Sequence, residues 1–353
     1  MLLHLTLLGL ALNPLRSWGE TIYVVERERG SLAVIKDGKW LGEIPDLGDT
    51  SHTTLKFSGG FGYAISRDGF VSKIDPKTHK LLKKVKVGNS GIGLNFVRDF
   101  VAVANYDPGT VVILDRDLNL KKTIKTGSRN VGIKSLENKL IFALMEKNEI
   151  WVLDADKDFS VLKKFTNVGN LPFDALLADH RYVAGFFNDA RLGVVNLDTL
   201  EFQAIALKQT SSETVLKIPH FGTWGIAGNA VFIPANKDKK LHIFRLTDFE
   251  YLGTIDLIGT PVFVAASPDG KMLAVNYSGE KENFITIVDS LARKVDRNID
   301  AAKRVMHFRF ASSGEELFVS SYFENQVKIF KVGTWEEKGH VDVATPSGIF
   351  LLK

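Results

Sequence analysis

An all-β chain closed into an eight-bladed propeller is the fold this sequence predicts, and three observations carry it. One four-part pattern recurs along the chain: short apolar run, turn, short apolar run, often ending in Asp, turn. The residue closing the third run falls near Lys36, Asp75, Asp115, Asp154, Asn196, Arg245, Asp289 and Lys331. That spacing of roughly 40–49 residues matches four-stranded blades. Period-two alternations of Val, Ile, Phe and Leu fill the runs, bounded by Asp-Gly, Pro-Gly, Gly-Asn and Ser-Pro-Asp-Gly turns. Helical periodicity over a dozen residues is absent nearly everywhere.

The units follow one another in order. TIYVVERE, SLAVIKD and WLGEIP supply a second, third and fourth strand with no first. SHTTLKFS, GYAISR, FVSKID and LLKKVKV make the next complete unit. GIGLNFV, FVAVAN, TVVILD and LKKTIKT follow, then VGIKSLE, LIFALM, EIWVLD and LKKFTNV. PFDALLA, RYVAGFF, RLGVVNL and FQAIAL come next; the polar stretch 201–213 is the least readable. HFGTWGIA, AVFIPAN, KLHIFRL and YLGTIDL precede PVFVAAS, KMLAVNY, ITIVDS and KVDRNID. VMHFRFA, ELFVSSY, QVKIFKV and EKGHVDV complete the seventh full unit. PSGIFLLK then offers a first strand alone, which pairs with the N-terminal fragment to close the ring and remove its open edges.

The 353 residues divide into a leader, 1–19, and one propeller domain, 20–353. Met1–Leu12 is apolar and reads as the core of a secretory signal peptide, too short to span a bilayer comfortably, although its start lacks Lys and Arg. Without cysteine, disulfides, thiolate metal sites and Cys nucleophiles are excluded. A net charge of +4 with scattered lysines gives no basic run suited to nucleic acid. HExxH, GxSxG, P-loop, nicotinamide and flavin motifs are absent from any supporting context.

In a propeller the innermost strand lines a channel, so residues at its start converge on one mouth. Those positions hold His52, Asn89 to Gly93, Arg129, Asp174, His220, Trp224, Phe263, His307 and Ser347-Gly348. Three of the eight histidines fall in this set, and a concave mouth with a few convergent polar groups suits a ligand. Each residue also has a plain structural alternative. A strand-start His can simply satisfy a turn, Arg129 can cap carbonyls or grip a carboxylate, and Asp174 can form a turn. Phe263 and Trp224 can pack the channel or face a flat aromatic ligand. His79 and His180 fall at turns, His242 in a third strand and His340 in an outer strand, away from this set.

Several stretches carry a resemblance: GDTSHTTLKFSGGFGYAISRDGFVSKID, VANYDPGTVVILD, SRNVGI, EIWVLDA, PFDAL, KIPHFGTWGIAGNAVFIPA, GTPVFVAASPDGKMLAVNY and TPSGIF. In this order they resemble the haem d1-binding propeller of dissimilatory nitrite reductase, and more closely the NirF family of haem d1 biosynthesis proteins. The haem c motif CxxCH of the reductase is absent. The resemblance implies a periplasmic protein, soluble or weakly membrane-associated, that binds haem d1 or its precursor at the mouth. It implies partnership with the nitrite reductase and other haem d1 maturation proteins, and leaves the oligomeric state open. It places His52 where the reductase has its proximal haem ligand, making His52 the expected axial ligand to iron or a base. His220 matches a distal-side histidine, and Arg67 falls in the family's GRDG position, here SRDG. His52, His220 and Asp174 are the expected catalytic residues, while Arg67, Arg129, Trp224, Phe263, His307 and Gly348 bind the tetrapyrrole. The chain lacks the lipid-anchoring cysteine of some members, and Glu137 stands only loosely for an acidic residue after SRxVG. Side-chain cleavage, lactone opening and propionate dehydrogenation stay open as chemistries. A carrier that hands the tetrapyrrole to the reductase, a protein-interaction propeller and a metal-dependent hydrolase are the competing classes.

Overall fold

The computed structural model describes residues 20–208 and 225–352. Its strands form eight four-stranded antiparallel sheets, arranged as the blades of a propeller. Blade one joins the chain's two ends: Pro346–Leu351 is its innermost strand and pairs with Thr21–Glu26, followed outward by Ser31–Lys36 and Lys39–Ile44. Blades two to eight take residues 54–86, 90–125, 130–165, 172–206, 225–256, 260–300 and 305–342. The predicted number of blades and the terminal seam are both present.

The expected period has a local cause. Each of the eight landmarks, from Lys36 to Lys331, is the last residue of a third strand. There the Asp or Asn side chain folds back on the following turn. Asp75 accepts from the Lys77 N–H at 2.9 Å, Asp115 from Asp117 at 2.9 Å, and Asp154 from Asp156 at 3.0 Å. Asn196 and Asp289 do the same for Asp198 and Leu291. An Asx turn of this kind satisfies backbone donors at a corner leading to the outermost strand, so the same residue types recur once per blade.

Second and third strands are sandwiched between neighbouring blades, and so read as continuous apolar runs such as IYVV and AVFI. Fourth strands have one free face and alternate, as in KLLKKVK. Eight buried apolar clusters result, each between two adjacent blades. The one between blades eight and one includes Val24, Ile329, Val341 and Ile349, so the seam is a packed interface as well as a hydrogen-bonded edge.

The second-to-third-strand loops share the mouth with the starts of the innermost strands, because alternate strands run in opposite directions. Blade two's loop, Ser66–Gly69, is tightly built. Ser66 Oγ donates to Asp68 at 2.6 Å, and the Gly69 N–H returns to the Ser66 carbonyl at 3.0 Å. Gly69 has φ +82°, and a Cβ there would lie 2.2 Å from the Gly88 carbonyl oxygen. Gly69→Ala is expected to cost about 1–3 kcal/mol of stability through backbone strain. A thermal melt some degrees below wild type would show it; an unchanged melt would mean the loop is not so constrained.

Candidate functional site

The innermost strands begin with a repeated irregularity. In blades four, five, seven and eight, and in blade one, two residues stand opposite a single partner on the neighbouring strand. The second residue of each bulge is Ile133, Asp174, Phe263, His307 and Gly348 in turn. Four of the expected site residues therefore occupy one equivalent position. A bulge bends the strand and re-aims its side chains, which is why bulges concentrate at barrel rims and active sites.

His52 ends a short 3-10 turn, Thr50–His52, capped by the Asp49 side chain. The turn is clasped from blade two: the Arg67 N–H donates to the Asp49 carbonyl at 2.7 Å, and Asp68 accepts from the Asp49 N–H at 3.0 Å. The Arg27 guanidinium donates to the Ser51 carbonyl. Burial pushes the Asp49 carboxyl upward, but hydrogen bonds from Ser51 and the nearby Arg27 and Arg67 outweigh it, and the group sits below its usual range. His52 is thus held on a turn whose position the SRDG loop sets.

Arg67 and Arg129 come together over one aromatic ring. Their guanidinium carbons lie 5.2 and 5.5 Å from the centre of Tyr106, within cation–π range. Arg129 is oriented by Glu146, which pairs with its guanidinium and accepts from its backbone N–H at 2.8 Å and from Ser128 Oγ at 2.7 Å. Burial works against ionisation of Glu146, yet these hydrogen bonds hold its carboxyl at about 2. Tyr106 is pushed up to about 12, first by burial; the two arginines oppose this, and Asp174 and Glu146 reinforce it. Tyr106 therefore stays a neutral phenol across the working range. Asp174 is 4% exposed, accepts from its neighbour's N–H at 2.7 Å, and lines a small cavity just inside the mouth.

Phe263, His307 and Gly348 form a second group on blades seven, eight and one. His307 is buried, with Nδ1 accepting the Ile349 N–H at 3.1 Å, which leaves its ring proton on Nε2. Phe263 meets the imidazole edge-on at 5.3 Å and Phe350 stacks at 6.4 Å. Burial, helped by Arg309, drives His307 well below the usual imidazole value, so the ring is neutral. Gly348 lies where a Cβ would come within 2.9 Å of the Phe350 ring. His220 and Trp224 lie outside the described residues.

Sequence reasoning missed Tyr106, Glu146 and Asp68. The mouth positions legible in sequence precede innermost strands, whereas these three belong to the ends of second strands and the loops after them. Counting both loop sets would have found the aromatic in VANY and the acid in LME.

The described residues thus define a class: a closed eight-bladed propeller with a histidine on a braced turn, two guanidinium groups over one aromatic ring and a buried carboxylate at the starts of its innermost strands and the adjoining loops. The chain belongs to the cytochrome D1 heme domain family, whose model matches residues 18–353. It is similar to Protein NirF of Pseudomonas aeruginosa, 30% identical over 365 residues, 96% of this chain and 92% of that protein. Protein NirF of Stutzerimonas stutzeri is 29% identical over 364 residues, 96% of this chain and 93% of the relative. Among solved structures, dihydro-heme d1 dehydrogenase NirN in complex with DHE superposes with a TM-score of 0.79 at 20% identity, over 94% of this chain and 75% of that one. Apo AztD from Citrobacter koseri shares the fold with a TM-score of 0.72 at 14% identity, over 94% and 97%.

Proposed function

We propose that this chain binds a late haem d1 precursor, such as dihydro-haem d1, across the propeller mouth and modifies it there for maturation of dissimilatory nitrite reductase. Membership of the cytochrome D1 heme domain family supports the ligand class. The observation that carries the reading is the convergence of Arg67 and Arg129 on Tyr106. Guanidinium groups grip carboxylates bidentately, and a tetrapyrrole precursor presents carboxylate side chains around a flat ring. The residues fit such a ligand: an imidazole on a braced turn, fixed cations at the rim, and glycine rather than a side chain at 348.

In this reading His52 is the axial ligand to the substrate's iron, for which imidazole is a suitable donor. Arg67 and Arg129 hold peripheral carboxylates, and Phe263 and His307 floor the opposite side of the cup. Asp174 and His220 are the acid–base pair acting on a peripheral side chain. The neighbour NirN is named a dehydrogenase of dihydro-heme d1. The same change here would remove two hydrogens and would need an electron acceptor. With 1–19 as a secretory leader, the site of action is the periplasm.

Anaerobic titration of the full chain with dihydro-haem d1, followed by mass spectrometry of the recovered tetrapyrrole, tests this. Binding with a shifted Soret band and a changed ligand mass is the expected result. Binding with an unchanged mass favours the carrier reading, and no spectral change overturns tetrapyrrole binding altogether. His52→Ala is expected to lose the shifted Soret band; an unchanged spectrum would remove His52 from the iron.

A further inference from the structure

Just inside the mouth, a cavity of about 30 Å³ lies between the innermost strands of blades two to five. Thr54, Lys56, Gly93, Gly132, Lys134 and Asp174 are among its walls. That is room for one water, and the polar groups around it are of the number such a water needs. Lys56 Nζ donates to Asn95 Oδ1 at 3.2 Å, and Asn95 in turn donates to Ser135 Oγ at 3.3 Å. The ammonium of this half-buried lysine is thus tied to the innermost strands of blades three and four.

Lysine is an uncommon choice for such a place. Its charge loses solvation there, and a second lysine faces it. Burial pulls Lys56 down to about 7 and Lys134 of blade four adds to the fall, while Asp174 of blade five opposes it. Blade three contributes the neutral Asn95. A lysine poised near neutrality beside a ligand mouth is the kind of group that exchanges protons at working pH. Two of the cavity's walls, Thr54 and Asp174, belong to innermost-strand starts that also form the mouth. Thr54 follows His52 by two residues, and the Asp174 carboxylate that lines the cavity acts electrostatically on Tyr106.

We infer that Lys56, through a water held against Lys134 and Asp174, is the proton store of the site. The ammonium becomes an amine when one proton passes out to a tetrapyrrole at the mouth, and the amine becomes an ammonium when one returns. Lys56 does not touch the ligand and acts through the water. This role rests on the tetrapyrrole reading above, but the titration of Lys56 does not.

NMR titration of lysine side chains in the full-length protein without tetrapyrrole supplies the first arm. One lysine is expected to titrate near 7, to vanish in Lys56→Met, and to move up in Lys134→Met because a like charge is removed. A Lys56 midpoint near the ordinary lysine value, or one indifferent to Lys134→Met, overturns the proposal. The second arm follows dihydro-haem d1 binding and conversion from pH 6 to 8.5. Wild type should show a pH step that Lys56→Arg abolishes, since guanidinium keeps the cation but does not release its proton in this range. A Lys56→Arg profile identical to wild type sinks the relay while leaving tetrapyrrole binding intact. Absence of any binding by wild type, with Lys56 still titrating near 7, sinks the tetrapyrrole reading instead.

Discussion

Removing residues 346–353 is expected to abolish cooperative folding. The deleted strand is the innermost one of blade one, and the edge of Thr21–Glu26 would be left with no partner. Ile349 is fully buried and Phe350 nearly so, and they belong to two different inter-blade clusters. Truncating one such side chain to Ala alone costs about 2–5 kcal/mol, against a total stability of about 5–15 kcal/mol for a typical domain. The deletion also removes the N–H that His307 accepts, leaving a buried imidazole nitrogen without that bond. Loss of a sharp thermal transition and a tendency to aggregate through the open edge are the expected outcome. Phe323→Ser, at a side chain 60% exposed, serves as the contrast and should melt within a degree or two of wild type. A truncated chain that melts as sharply and as high as the full chain would mean the seam does not hold the ring.

That seam, and the blade number with it, was legible because propeller sequence repeats have local causes. The Asx turns that end third strands need Asp or Asn at one place per blade, and the buried second and third strands need unbroken apolar runs. Both are properties of short segments, visible without knowing what packs where. The start of each innermost strand was legible too, so His52, Arg129, Asp174, Phe263 and His307 could be chosen by position. Their arrangement was not. A bulge adds one residue to a strand without a composition signal, so nothing in PFDAL or VMHFRF announces that Asp174 and His307 share a re-aimed position. Tyr106 lies at the end of a second strand, far in sequence from Arg67 and Arg129, the two arginines over its ring, and Glu146 lies 17 residues from Arg129, whose N–H it accepts. Lys56 reads as an ordinary exposed lysine of an alternating strand, and only the closeness of Lys134 and Asp174 from two other blades changes its character. What depended on pairing between blades lay beyond the reach of pattern.

The largest effect on ligand binding is expected from Arg67→Ala with Arg129→Ala. Each charge-assisted hydrogen bond to a carboxylate contributes about 1.5–3 kcal/mol, so each single substitution should weaken dihydro-haem d1 binding by roughly tenfold or more. Both guanidinium groups face the Tyr106 ring, so the two losses should not be independent. After one arginine is removed, the remaining arginine can shift toward the carboxylate and soften the single loss, so the double variant should lose more than the product of the two single effects, about a hundredfold or more. Arg129→Lys separates charge from geometry. The ammonium keeps the positive charge but not the two-pronged match, so it should recover only part of the affinity. Binding by wild type should also weaken with salt, and the double variant should lose most of that dependence. Stability should change little for Arg67→Ala if the backbone of the SRDG loop, rather than the guanidinium, holds the His52 turn: the clasp uses the Arg67 N–H and the Asp68 side chain, both of which remain. A double variant that binds as tightly as wild type, with the same salt dependence, would show that the ligand's carboxylates go elsewhere. The mouth would then lose its main reason to be read as a tetrapyrrole cup.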